Sequence, residues 1–114
     1  MVRIWKTPLY FLNRKRLLGE HFELHVILSA ILRGKGAWFN HPQTKRFYNH
    51  IGELKYRHRE QVREMLRRGY NHKSPLLNVD DVKEEIYTYT TEEMLGDLEI
   101  LSERQKEDVI MIYV

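Results

Sequence analysis

Three polar side chains, Arg16, Glu20 and Glu23, interrupt an apolar stretch at spacings of four and three residues. On a helix these positions fall within about 60° of one another. They lie at the edge of a stripe made by Leu17, Leu24, Ile27, Leu28, Ile31 and Leu32. Glu20 points almost into that stripe, and a carboxylate there requires a partner, which Arg16 can supply from one turn back. Glu23 falls at the rim, where a carboxylate in a basic protein can serve as a catalytic acid or base. Spacing alone favours the plainer reading, an i,i+4 ion pair beside a surface glutamate.

The chain start offers a second kind of chemistry. Residue 2 is Val, small enough for the initiator methionine to be removed. The exposed α-amine would have an unperturbed pKa of about 7.7–8.0, so part of it is neutral near pH 7 and can form a Schiff base. Arg3 beside it would lower that pKa further. The plain alternative is an unremarkable frayed terminus. Histidine is the third candidate, with six in the chain. His21 and His25 share a helix face, as in zinc-binding helices. However, Phe22 occupies the place of the usual glutamate, Glu23 lies nearly opposite His21, and no third ligand is evident. No metal and no cofactor are expected on this reading.

Around these residues the chain is basic and aromatic. Lys35, Trp38, Lys45, Arg46, Phe47 and Tyr48 come first, then Lys55, Arg57, Arg59, Arg63, Arg67 and Arg68. This is the composition of a surface that holds phosphates and can wedge or stack on bases. Each aromatic taken singly is more often a core residue than a base contact. Net charge is only +3, but residues 1–75 hold 16 Lys/Arg against 5 Asp/Glu, and residues 76–114 hold 3 against 11. The halves therefore carry +11 and −8, as expected of a polyanion-binding part and a separate acidic part. The alternative is that the two faces neutralise each other.

The elements that must position these residues are helical. Asn13 can cap a helix that Gly34 and Gly36 stop after Arg33. Residues 34–41 form a loop, and Pro42 opens a short helix to about Ile51. Gly52 then breaks the chain, and a third helix runs from about Glu53 to Arg68 with Gly69 as its cap. Leu54, Val62, Met65 and Leu66 share one face of it. Beyond Pro75, residues 80–87 are weakly helical. Thr90 and Glu93 then make a capping box for a helix to about Glu107, with Leu95, Leu98 and Leu101 facing the core. Residues 109–114 are apolar and β-prone, a docked tail or an edge strand. The expected fold is all-α: a single domain over 1–114 with three core helices around Leu24, Ile27, Leu28, Ile31, Leu54, Val62 and Met65, and a C-terminal helical segment across them. Residues 1–75 are the basic core and 76–114 the acidic segment.

With 114 residues and no cysteine, the chain is one modest domain with neither a disulfide framework nor a thiolate zinc site. The start has no apolar stretch behind its basic end, and the run from Val26 to Leu32 is too short for a bilayer, so a cytoplasmic protein without membrane contact is expected.

Several of these pieces occur together in one known family. Arg3 with Ile4 and Trp5, Leu17 with Glu20, His21, Phe22, Glu23 and Leu24, Asn40 to Gln43 followed by Arg46 and Phe47, and Arg67 to Asn71 stand in matching order and spacing. Over roughly residues 1–75 the sequence resembles the pyrimidine-dimer DNA glycosylases, the phage endonuclease V type and its small bacterial and archaeal relatives. The resemblance implies a repair glycosylase with abasic-site lyase activity on damaged double-stranded DNA, acting as a monomer without a cofactor. It maps the nucleophilic amine to Val2 and the catalytic carboxylate to Glu23. Arg3, Arg16, Lys45, Arg46, Arg59, Arg63 and Arg67 are then the candidate DNA-binding residues. The sequence departs from the phage pattern where Val2 replaces Thr, where Phe22 and Val26 replace arginines, and where the acidic segment replaces a basic aromatic C-terminus. A non-catalytic architectural DNA-binding protein with the same basic helices is the rival reading.

Overall fold

The computed structural model describes residues 3–72, 75–76 and 79–113, with the side chains of 109–113 left aside. Val2 and the apolar side chains of the last six residues therefore lie outside the described part. The architecture is all-helical, with no strand among the described residues. No described helix is long and apolar enough to cross a membrane.

Helix α1 spans Arg14–Arg33. The Asn13 side chain accepts a hydrogen bond from the Arg16 N–H at 2.9 Å, filling one of the orphan donors at the helix start. At the other end Gly34 takes φ +68° and its N–H returns to the carbonyls of Ala30 and Ile31, the left-handed stop that favours glycine. Helix α2 spans Pro42–Arg46 and is shorter than the sequence suggests. Its cap is His41, whose Nδ1 accepts from the Gln43 N–H at 3.2 Å.

Helix α3 spans Ile51–Arg67. Gly52 is thus inside the helix and not a breaker before it. The segment from Lys83 to Glu85 crosses at that point: the Glu85 N–H donates to the Gly52 carbonyl at 3.1 Å. A Cβ on residue 52 would stand 2.4 Å from the Lys83 carbonyl oxygen. The helix ends as the sequence predicts, with Gly69 at φ +83°. The N–H groups of Gly69 and Tyr70 bond back to the carbonyls of Leu66 and Met65, and Tyr70 packs beside Met65, the paired closure of a Schellman end.

Residues 83–90 are irregular instead of helical. Lys55 on α3 ties down the stretch before them by donating to the carbonyls of Val79 and Val82, both at 3.0 Å. Helix α4 spans Thr91–Tyr113. Its capping box is formed: Thr90 Oγ1 accepts from the Glu93 N–H at 3.0 Å, and Glu93 Oε1 accepts from the Thr90 N–H at 2.9 Å. It continues through the residues expected to form a tail or strand, because nothing in that sequence stops a helix already nucleated.

Two apolar clusters form the interior. One gathers Ile4, Leu24, Ile27, Leu28, Phe47, Leu54, Val79 and Tyr87, with Ile31 against it; the other gathers Trp5, Leu9, Leu12, Leu17, Met65 and Leu101. Val62 is only half-buried, and Leu66 is exposed. Of the three leucines expected to anchor α4, only Leu101 is buried; Leu98 is half-buried and Leu95 exposed. A fully buried leucine contributes about 1.5–3 kcal/mol, and polar contacts of Asp97 and Asp108 with the chain start and α1 add to it.

Candidate functional site

Glu20 is fully buried and is the hub where the chain start, α1 and α3 meet. It accepts four hydrogen bonds: from the Trp5 N–H at 2.7 Å, from Arg57 Nε at 2.9 Å and Nη2 at 3.0 Å, and from Gln61 Nε2 at 2.7 Å. Arg57 also donates to the carbonyls of Thr7 and Trp5 at 2.8 and 2.9 Å. Burial works against its charge, but Glu20 outweighs that, and the Arg57 pKa rises above its ordinary value. The predicted Arg16–Glu20 pair is therefore corrected. Arg16 turns outward to Asp108 on α4, with Nε and Nη2 at 2.9 and 2.8 Å from its two oxygens. Arg57, taken from sequence as part of a phosphate-binding row, is a structural cation. Its partner lies 37 residues away in sequence, beyond the reach of any local spacing rule.

Glu23, one turn further along α1, has no such set of partners. It is 4 % exposed, deeper than the rim position expected. Its Oε1 is shielded from solvent without a hydrogen-bond partner among the described residues. Burial raises its pKa above the usual carboxylate value, with the nearby His41 acting in the opposite direction. The two glutamates thus divide as the helix wheel suggests: one is saturated with donors, the other keeps an uncommitted oxygen. Buried polar groups are nearly always paired, so an orphan of this kind calls for an explanation in function.

The chain start is moored beside this pair. The Ile4 N–H donates to Gln43 Oε1 at 3.4 Å, and Arg46 Nη1 donates to the Ile4 carbonyl at 3.2 Å. Tyr87, from the irregular segment, is buried and donates its hydroxyl to the Trp5 carbonyl at 3.1 Å, and Arg46 donates to that same hydroxyl. Gln43 is in α2, two residues from His41. The described start of the chain, the beginning of α2 and the middle of α1 therefore converge. Sequence spacing gave no signal for Tyr87 or Gln43 as mooring residues.

The basic candidates separate into two groups. Arg3 pairs with Asp97 at 3.5 Å and Arg16 with Asp108 at 2.8 Å, and both are four-fifths buried; Arg46 is committed to the chain start. Lys45 is exposed. Arg59, Arg63 and Arg67 form an i, i+4, i+8 row on α3, with side chains 55 %, 71 % and 65 % exposed despite contacts to Glu84, Glu60 and Glu64. Exposed pairs of this kind are worth about 0–1 kcal/mol, so the row remains available to an anion. Arg63 and Arg67 also border an open cleft of about 380 Å³ with Tyr10, Tyr56, Tyr87 and Tyr89. Glu23 is not among its lining residues. Of the aromatics, Phe47 after α2 is core, whereas Phe22 beside Glu23 on α1 and Trp38 in the loop before α2, tilted against His41, are exposed.

An all-helical domain with a cationic ridge, exposed aromatics and one orphan buried carboxylate has the make-up of a protein that binds nucleic acid and acts on it. A family model described as pyrimidine dimer DNA glycosylase matches residues 2–78, and the chain belongs to that family. No curated protein and no solved structure matches the chain. The matched span contains Glu23, Gln43 and Arg46 of the chain-start mooring and the whole of the α3 ridge; Tyr87 and α4 lie beyond it.

Proposed function

We propose that this glycosylase cleaves in two linked steps, base release and strand nicking, with the α-amine of Val2 as nucleophile and Glu23 as the catalytic carboxylate. The observation that carries the reading is the state of Glu23: a buried carboxylate with an unused oxygen, on the helix turn beside the mooring of the chain start. Val2 is two residues, about 7 Å of extended chain, from the Ile4 that Gln43 holds. Removal of Met1 frees its amine.

The damaged nucleotide is taken out of the stack to expose its sugar. The neutral amine attacks C1′, the glycosidic bond electrons leave with the base, and the base takes up a proton. Loss of the amine proton and opening of the sugar ring at O4′ give an imine between protein and DNA. Glu23 stabilises the cationic sugar and then moves protons for removal of the C2′ hydrogen, which expels the 3′ phosphate and nicks the strand. The amine performs the covalent chemistry, so the mechanism calls on no cofactor. Lys45, Arg59, Arg63 and Arg67 hold phosphates of the duplex, and the protein acts as a monomer. Arg3 and Arg16 join the grip only where DNA displaces the acids of α4.

The test is strand nicking of ultraviolet-irradiated duplex DNA by Glu23→Gln. The variant should fold with an unchanged or higher Tm, because it removes a charge that burial disfavours. It should bind DNA at least as tightly and nick about a hundredfold more slowly or worse. Nicking at the parental rate by the folded variant contradicts the assignment.

A further inference from the structure

On the face of α1 turned away from Glu23, four imidazoles come together. The His21 ring, on α1, lies 4.7, 5.0 and 5.1 Å centroid to centroid from His25 on α1, His58 on α3 and His72 in the segment after Gly69, and His58 lies 5.2 and 5.4 Å from His25 and His72. One ligand nitrogen from each of His21, His25 and His58 can be chosen so that all three lie within 4.8 Å of one another. The sequence offered only the α1 pair; the fold supplies the third and fourth rings, 37 and 51 residues after His21. Glu23 is about 160° away from both His21 and His25 around the helix, so the cluster is separate from the proposed catalytic carboxylate.

The hydrogen-bond network fixes which nitrogen of His21 carries its proton. Glu20, engaged with Arg57, only accepts, so Gln61 must present its NH₂ to Glu20, and Nε2 lies 2.7 Å from Oε2. Gln61 Oε1 therefore faces His21 Nδ1, 2.8 Å away, and must receive its N–H. That leaves the lone pair on His21 Nε2, an atom shielded from solvent and without a hydrogen-bond partner among the described residues. His72 Nε2 is shielded and unpartnered in the same sense. Metal-binding histidines show this arrangement: the outer nitrogen donates to a fixed acceptor and the inner one points at the metal.

We propose that His21, His25, His58 and His72 bind one zinc ion, which pins the chain after α3 to the back of α1. Four imidazoles with no carboxylate or thiolate suit zinc, or copper and nickel among related ions, and do not suit calcium or magnesium. Zinc–nitrogen bonds of about 2.0–2.1 Å put tetrahedral ligand atoms about 3.3 Å apart, so the nitrogens of His21, His25 and His58 close in by about 1.5 Å or less on binding, and His72 swings in from beside His21 and His58. All four nitrogens are then used, which makes this a closed structural site without a position for substrate.

The test is zinc titration of chelator-treated full-length protein, read by calorimetry, by Tm and by X-ray absorption at the zinc edge. One zinc per chain should bind through nitrogen ligands only and raise Tm by several degrees at saturation. His21→Gln and His72→Gln should each weaken binding about tenfold or more; His72 is outside the helices, so its variant keeps the fold testable if His21→Gln does not. The exposed group of His50, Glu53 and Glu85 is the control, and His50→Gln should leave affinity unchanged. Absence of binding, parental affinity in either cluster variant, or loss of binding in His50→Gln overturns the proposal.

Discussion

Glu20 and Glu23 show how two carboxylates on one helix turn acquire opposite duties. Their angular positions on α1 were legible in the sequence, and so was the separation into an inward and a less committed residue. The partner of Glu20 was not, because Arg57 and Gln61 reach it only after α1 and α3 pack. The same limit applies to the histidines: His21 and His25 share a face by periodicity, whereas His58 and His72 join them through tertiary packing. Glu20→Gln provides the contrast to Glu23→Gln. It leaves the Arg57 guanidinium buried without its counter-charge, a loss of about 3–5 kcal/mol from a fold whose total stability is about 5–15 kcal/mol. Denaturant unfolding should show a correspondingly lower midpoint with little change in turnover per folded molecule. A midpoint equal to that of the parent would mean that Glu20 is not the structural hub.

Among the elements, ends were easier to read than interiors. Asn13, Gly34, Gly69 and the pair Thr90 and Glu93 each act within a few residues of themselves, and each marks a boundary where the sequence places it. Gly52 misleads for a physical reason. Its lack of a side chain serves a close backbone crossing from residues 83–85, and that crossing lies 31 residues or more downstream in sequence. On helix propensity alone Gly52→Ala would stabilise α3 by about 1 kcal/mol. The crossing reverses the sign: a methyl group at 2.4 Å from the Lys83 carbonyl oxygen forces the segment away, at about 1–3 kcal/mol for overpacking. Thermal unfolding of Gly52→Ala should show a lower Tm, and a higher one would contradict this packing.

At the scale of the molecule, the charge asymmetry has two consequences that the sequence could not separate. Part of it is internal neutralisation: Lys6 meets Glu93 at 2.5 Å, Arg3 meets Asp97, and Lys15 and Arg16 meet Asp108. Burial alone would raise the Asp108 pKa, but Arg16, Asn13 and Lys15 hold it down to about 2. The contribution of Asp108 to stability is therefore present above its ordinary value of 3.8 and fades as pH falls through about 2. Among the remaining cations, the α3 ridge and Lys45 stay exposed. The acidic helix thus acts as a cover on Arg3 and Arg16. A variant with Asp97→Asn and Asp108→Asn should bind duplex DNA more tightly, with the log-affinity versus log-salt slope steeper by about 0.9 for each cation that gains a phosphate. An unchanged slope in the folded variant would show that these arginines do not reach DNA.

The most direct measurement for the account as a whole is borohydride trapping on duplex DNA carrying a single abasic site, followed by peptide mapping of the adduct. Reduction captures a protein–DNA link only where an amine has formed an imine with the sugar, so it also separates an enzyme from an architectural DNA-binding protein. A covalent adduct is expected on the N-terminal peptide, at the α-amine of Val2 in protein that has lost Met1. An adduct mapped to an internal lysine, or none with Met1-free protein that still binds the DNA, would contradict it.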